Sequence, residues 1–251
     1  MNQEERKEKR DRFNGWRFAH RGLHAAPEAP ENSLAAFRRA VESGYGAELD
    51  VHLLSDGTLA VFHDSDLQRM TGQKGILENC TREDLSGLFL GGTQETIPLF
   101  QEVLDVFQGR APLIIELKTW EGNADRLAEA VCRVLDGYEG LYCLESFDPY
   151  AILWLRRHRP EEIRGMLSMD YLKSKNDLTF IRAFMATHLL HVFLTRPDFI
   201  AYRFKDRKRF GNRFCLKVLK KQGVSWTIRT PGQLKAAEKE GLWPIFEKFQ
   251  P

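Results

Sequence analysis

The stretch Ala47-Glu48-Leu49-Asp50-Val51 reads as a buried strand with two acidic side chains. In a β-strand successive side chains point to opposite faces, so Glu48 and Asp50 emerge on one side and Leu49 on the other. Short apolar segments of the same kind recur at 16–19, 113–117, 141–147, 164–169, 199–204, 224–228 and 244–249. Stretches with helical spacing lie between most of them. Eight strands that alternate with helices predict an α/β protein with a (β/α)8 TIM barrel.

The segment from Val51 to His63 departs from this alternation, because Asp56-Gly57 is a hairpin turn signal. We predict that residues 59–63 return as a β-hairpin lip above the second strand, which brings His63 back toward Glu48 and Asp50. A long loop then covers residues 70–96, with one short helix near 82–88. Asn32 and Ser33 precede the first helical run and are expected to cap it.

Length and composition favour a single domain without a membrane span, since the 251 residues are 43% hydrophobic and 29% charged. We expect a charged N-terminal extension at 1–14 and the barrel domain at 15–251. The first residues contain no apolar signal segment, so cytoplasmic residence is the expectation.

The 37 Lys and Arg nearly balance the 35 Asp and Glu, which argues against a nucleic-acid partner. Between residues 203 and 221, however, cations alternate with Phe204, Phe210 and Phe214. Such a stretch is a solvated helix face, a weak contact with a membrane surface or an RNA-binding segment. The oligomeric state is not determined by the sequence.

Three acidic side chains stand at predicted strand ends, namely Glu48, Asp50 and Glu116. Like charges in one barrel mouth oppose ionisation unless a counterion is present. All-oxygen ligands favour a divalent metal ion, magnesium or calcium, over zinc. His52 has the same parity as Glu48 and Asp50 and is a candidate for a supporting position.

Imidazoles and cations accompany these acids. His20 and His63 suit proton transfer near neutral pH. Arg21 and Lys118 suit the neutralisation of phosphate oxygens. Phe147 and Trp226, near the ends of later strands, are candidates for the wall of a substrate pocket, with core filling as the alternative.

The ordered set of these residues resembles the glycerophosphodiester phosphodiesterase family. The resemblance is carried by His20-Arg21-Gly22, Pro30-Glu31-Asn32-Ser33 with Ala36-Phe37, Glu48-x-Asp50, Asp56-Gly57, His63-Asp64 and Glu116-Leu117-Lys118, and more loosely by Ser146-Phe147 and Trp226-Thr227-Ile228. It covers the first half closely. The late region departs from the pattern at Arg229, which either contacts an anionic headgroup or pairs with Glu247.

The resemblance implies a metal-dependent hydrolase, a phosphoric diester hydrolase that converts small-molecule glycerophosphodiesters to glycerol 3-phosphate and an alcohol with His20 and His63 as acid and base. Two alternatives stay open. One is a lysophospholipase D-type phosphodiesterase acting on lysophospholipids. The other is a non-catalytic barrel that binds phosphodiesters.

Overall fold

The structure is a computed structural model that describes residues 3–174 and 178–251. Within them the strands are β1 Phe18–His20, β2 Gly46–Leu53, β3 Leu59–Val61, β4 Leu113–Leu117, β5 Tyr142–Ser146, β6 Arg164–Ser168, β7 Phe199–Arg203, β8 Gln222–Ile228 and β9 Trp243–Phe246. The α-helices there are α1 Gln3–Asp11, α2 Leu34–Glu42, α3 Gln68–Thr71, α4 Phe100–Phe107, α5 Ala124–Leu135, α6 Pro149–His158, α7 Phe180–Thr187, α8 Val192–Thr195, α9 Phe210–Lys217 and α10 Pro231–Lys239. Apart from β3, the strands alternate with helices, and the fold is a (β/α)8 TIM barrel, as predicted.

The chain groups into two compact units. The first unit, Trp16–Tyr142, is organised around β2, which pairs in parallel with β1 and β4. All residues of β2 are buried, as expected for a parallel strand covered on both faces. The register places His20 opposite Glu48, and Asp50 opposite Glu116. The pairing of these strands therefore brings the predicted acidic residues together.

The hairpin lip of the first unit is confirmed. Strand β3 pairs antiparallel with β2, with Val51 opposite Val61, and the Phe62 amide donates to the Asp50 carbonyl at 3.0 Å. The following loop contains α3 and two 3₁₀ turns, Leu77–Asn79 and Glu83–Leu85, where one short helix was predicted. A separate apolar cluster anchors the loop: Leu54, Ala60, Phe62, Leu67, Leu77, Leu85, Leu90 and Ile97.

The start of α2 corrects one expectation. Ser33 caps the helix, since its hydroxyl accepts a hydrogen bond from the Ala36 amide at 3.1 Å. Asn32 does not cap it. Its backbone is left-handed, with φ of 55°, and its side-chain amide donates to Asp50 Oδ2 at 2.9 Å. The Asn32 side chain, which was expected to cap the helix, therefore contacts the acidic cluster instead.

The second unit, residues 3–15 and 143–251, carries β6 to β9 and most of β5. Part of the predicted N-terminal extension forms α1, which is tied to this unit by ion pairs of Arg6 with Asp198 and of Lys9 with Glu162. No helix among the described residues is both long and apolar enough to cross a membrane. Single-domain organisation stays a prediction.

Candidate active site

The turn after β1 is shaped by backbone conformation. Arg21 and Gly22 both have positive φ, 56° and 79°, and a Cβ on Gly22 would lie 2.9 Å from backbone and side-chain atoms of Ala36. A glycine lets α2 pack directly against the turn. The turned backbone presents the Arg21 amide to Glu48 Oε2 at 3.1 Å. Left-handed conformation at a non-glycine residue is uncommon and clusters at functional sites.

Three carboxylates meet where β2 and β4 end. Glu48, Asp50 and Glu116 each offer an oxygen within 4.8 Å of the others, and their exposed fractions are only 3%, 1% and 7%. Asp50 Oδ1 and Asn32 Oδ1 are buried, and neither accepts a hydrogen bond from another described residue. Buried oxygens without donors are suited to ligate a cation.

Two cations border this carboxylate group. Lys118 Nζ lies 3.0 Å from Glu116 Oε1 and 3.5 Å from Asp50 Oδ1. Arg21 lies with Nε 3.5 Å from Asp50 Oδ2, while its terminal nitrogen donates to Glu31 at 2.7 Å. Both side chains are mostly buried, so their charges act on the site with little screening by water.

The pKa shifts follow from burial and from these partners. Burial works to raise the pKa of Asp50, but Lys118 and the other nearby cations hold it below its ordinary value. Burial raises the pKa of Glu116, with Asp50 adding to the effect and Lys118 opposing it. The pKa of Lys118 lies above its usual range because Glu116 and Asp50 outweigh burial. The ammonium group is therefore charged at neutral pH.

His63 is held by a chain of charged side chains. Its Nδ1 lies 2.5 Å from Asp64 Oδ1, and Asp64 also binds the guanidinium of Arg69. Arg69 in turn donates to Glu31 Oε1 at 2.6 Å, the same oxygen that accepts from Arg21. Burial, together with two nearby cations, lowers the pKa of His63 against the opposing effect of its acidic neighbours. This chain links His63 to the residue that adjoins His20.

His20 approaches the carboxylates at Glu48, with its Nε2 3.9 Å from Glu48 Oε2. Seven of the predicted site residues are thus gathered in the first unit: His20, Arg21, Glu48, Asp50, His63, Glu116 and Lys118. The remaining two, Phe147 and Trp226, are in the second unit, where their rings meet edge-on with centroids 5.6 Å apart. Their role as pocket walls stays a prediction. Arg229 pairs with Glu247.

The formal charge of the cluster indicates what it can bind. Its side chains are five carboxylates and three cations: Glu31, Glu48, Asp50, Asp64 and Glu116, with Arg21, Arg69 and Lys118. Five negative and three positive charges leave −2 when both histidines are neutral, which one divalent cation would cancel. The all-oxygen donors, and an Asp50 oxygen that is buried and accepts no hydrogen bond from another described residue, fit such an ion.

Sequence reasoning missed four residues of this network. Glu31 and Asp64 were quoted in motifs but received no role, although Asp64 directly follows the predicted site residue His63. Arg69 and Glu78 lie in the loop after β3, and no periodicity marks them. Glu78 Oε1 lies 2.7 Å from Nδ1 of His52, whose Nε2 faces the His63 carbonyl at 3.3 Å. The expected supporting role of His52 remains a prediction with this contact in its favour.

Comparison with known proteins agrees with the fold. A solved structure from Oleispira antarctica, a phosphodiesterase in complex with the product sn-glycerol-3-phosphate, aligns with a TM-score of 0.77 at 23% identity over 94% of each chain. The Bacillus altitudinis glycerophosphodiester phosphodiesterase is 43% identical over 62% of this chain and 67% of that relative. YhdW of Bacillus subtilis is 38% identical over 92% of this chain and 95% of its own length.

The fold and these relatives define an enzyme of the phosphoric diester hydrolase class. The sequence model of the Glycerophosphoryl diester phosphodiesterase family matches residues 20–242, and the chain belongs to this family.

Proposed function

We propose that this protein hydrolyses glycerophosphodiesters to glycerol 3-phosphate and an alcohol in a metal-dependent reaction. The observation that carries the proposal is the meeting of three buried carboxylates with two phosphate-binding candidates and two histidines in one unit of the fold. Relatives named glycerophosphodiester phosphodiesterase, and a structural neighbour that holds sn-glycerol-3-phosphate, support the substrate class.

Glu48, Asp50 and Glu116 are the proposed ligands of the divalent ion, magnesium or calcium. When bound, this ion supplies Lewis-acid stabilisation of charge on the phosphoryl oxygens. Arg21 and Lys118 add two fixed positive charges for the same oxygens. Because both side chains are already held by carboxylates, they need little reorganisation when the phosphate arrives.

His20 and His63 are the proposed proton carriers. One imidazole takes the proton of the attacking oxygen, either of water or of a neighbouring glycerol hydroxyl. As that oxygen bonds to phosphorus, the bond to the alcohol breaks, and the other imidazole donates its proton to the leaving alkoxide. Attack by water gives glycerol 3-phosphate directly. Attack by the glycerol hydroxyl gives a cyclic phosphate, which a water molecule then opens to glycerol 3-phosphate by bonding to phosphorus as the ring P–O bond breaks. The contact of Nδ1 with Asp64 orients the ring of His63 and leaves Nε2 for proton transfer.

A substrate screen tests the proposal. Turnover of several glycerophosphodiesters is measured with magnesium or calcium added separately and with a chelator, beside acylated lysophospholipid counterparts as the second candidate class. We expect His20→Ala and His63→Ala to lose about 10²-fold or more in kcat while remaining folded. Exposed His158→Ala is the matched control. Near-normal turnover in either site variant contradicts the acid-base assignment. Cytoplasmic residence and the absence of a nucleic-acid partner stay predictions.

A further inference from the structure

Helix α7 in the second unit presents its large apolar side chains to solvent. Phe180 is 73% exposed and Ile181 is 70% exposed, whereas the small residues Ala183 and Thr187 face inward and are buried. A helix that only covers a core shows the opposite arrangement, with its large apolar residues inside. The exposed face of α7 therefore requires a partner other than the core beneath it.

Helices α8 and α9 extend the same apolar surface. Between α7 and α9 lies a groove of about 320 Å³ lined by Phe184, Leu190, Phe193, Phe210 and Phe214, among others. The α7–α9 surface is defined by its exposed side chains, Phe180, Ile181, Phe184, Met185, Leu190, Phe193, Leu194 and Phe210. Contiguous apolar patches of this kind on a protein surface mark interaction sites.

The other flank of α9 is a basic cleft. It encloses about 620 Å³, and its lining includes Lys208, Arg213, Lys217 and Lys221. One acid in the lining, Glu240, is paired with Arg207. Helix α9 thus separates an apolar groove from a cluster of cations.

The region that contains both surfaces is predominantly basic. Residues 178–221 contain eleven Lys and Arg and two acids, Asp198 and Asp206. Both acids are engaged, Asp198 by Arg6 and Asp206 by Arg203. The region therefore carries a strong net positive charge beside its apolar side chains.

We propose that the α7–α9 surface docks this protein onto an anionic lipid bilayer. The exposed aromatic and aliphatic side chains enter the boundary between headgroups and acyl chains, and the cations of the basic cleft meet lipid phosphates. Charge complementarity favours this partner over a second copy of the chain. In a two-fold dimer the same patch faces itself, so the cations beside it would approach cations.

Vesicle sedimentation tests the proposal with the whole 251-residue chain. We expect binding to phosphatidylcholine vesicles that contain phosphatidylglycerol, and little binding to phosphatidylcholine alone. Raising the salt from about 0.1 M to about 1 M shortens the screening length from about 10 Å to about 3 Å and should release the protein. Arg213→Glu with Lys217→Glu should weaken binding more than about 20-fold, since each cation near an anionic surface contributes about fivefold.

The apolar contribution is tested with Phe180→Ser and Phe210→Ser, both at exposed positions. Each should weaken vesicle binding about tenfold without changing turnover of a water-soluble glycerophosphodiester. Tyr150→Ser and Lys235→Glu, at exposed positions outside the surface, are the matched controls. Absence of binding, or binding unaffected by these variants, overturns the proposal. So does a dimer in sedimentation equilibrium that Phe210→Ser dissociates.

Discussion

Nδ1 of His52 lies 2.7 Å from Oε1 of Glu78, and both side chains are buried. The other ring nitrogen faces the carbonyl of His63 at 3.3 Å, and Ser65 donates to the same Glu78 oxygen at 2.8 Å. Burial opposes the charge on Glu78, but the contact with His52 lowers its pKa. The pair therefore holds the backbone from which a proposed proton carrier extends.

Replacing His52 should affect both stability and catalysis. We expect His52→Ala to lower the free energy of unfolding by about 2–4 kcal/mol, because it leaves a buried carboxylate without its main partner. It should also lower kcat about tenfold, with little change in KM, since the His63 backbone loses its donor. Urea unfolding and steady-state kinetics measure the two effects. Ser65→Ala, which removes a weaker contact, is the comparison. Loss of stability with an unchanged kcat would show that the pair has no role in positioning His63.

Strands and turns that have a local sequence pattern were predictable. Strand β4 has the predicted bounds, because Leu113–Leu117 is apolar apart from Glu116, and β2 differs only at its ends. The hairpin lip followed from Asp56-Gly57. The last strand ends at Phe246 rather than at 249, and Lys248 there adopts a left-handed φ of 68°. The composition of residues 244–249 gives no signal for this earlier end.

The acidic cluster was predictable because strand parity and strand ends fix where Glu48, Asp50 and Glu116 meet. The chain of charged side chains that holds His63 was not predictable. Glu31 and Arg69 are far apart in sequence, and their 2.6 Å contact depends on how the loop after β3 packs. Asn32 was interpreted as a helix cap, since an asparagine side chain is equally suited to capping a helix and to donating a hydrogen bond to a carboxylate. Local pattern therefore identified the side chains that form the cluster and are proposed to react, but not the side chains that hold them.

Metal binding should stabilise the folded protein. An ion that binds only the folded state at about 100 times its Kd adds about 2.7 kcal/mol, or roughly 5–10 °C in Tm for a chain of this length. We expect magnesium or calcium to produce this shift and a chelator to reverse it. Glu116→Gln should abolish the shift, because it removes a charged ligand while an amide oxygen can still accept from Lys118. Glu145→Gln, which changes a buried carboxylate of the second unit, should retain it. An unaltered shift in Glu116→Gln would contradict the ligand assignment.

Acid stability should depend on His191. Burial lowers its pKa to about 4, and its Nε2 is buried without a hydrogen-bond partner among the described residues. In the unfolded chain the pKa is about 6.5, so the unfolded state binds more protons between these values. Neutral His191 therefore makes its full contribution to the free energy of unfolding above about pH 6.5. As the pH falls toward 4, the free energy of unfolding decreases by up to about 3 kcal/mol.

The measurement is urea unfolding across this pH range. His191→Gln should flatten the pH dependence, whatever its effect at pH 7, because glutamine does not titrate. His158→Gln, at an exposed position, should leave the slope unchanged. An equal slope in wild type and His191→Gln would show that another group causes the acid instability.

Gly22 should tolerate no side chain. Its φ of 79° disfavours L residues, and an added Cβ would lie 2.9 Å from Ala36. Gly57 separates the effect of backbone conformation from the effect of steric contact. Its φ is also positive, 87°, but no neighbouring atom lies within 4 Å of an added Cβ. We expect Gly57→Ala to cost about 1–2 kcal/mol from backbone conformation alone. Gly22→Ala should cost at least about 1 kcal/mol more, because α2 or the turn must shift.

The shift of α2 or of the turn in Gly22→Ala should also affect catalysis. The Arg21 amide donates to Glu48, and the Arg21 carbonyl accepts from the Asn32 amide. Displacement of the turn therefore moves the proposed phosphate-binding Arg21, the proposed metal ligand Glu48 and the neighbouring Asn32 together. We therefore expect Gly22→Ala to lower kcat/KM about tenfold or more, and Gly57→Ala to leave it near the wild-type value. Equal losses of stability and activity in the two variants would mean that close packing against Ala36 contributes nothing to the geometry of the site.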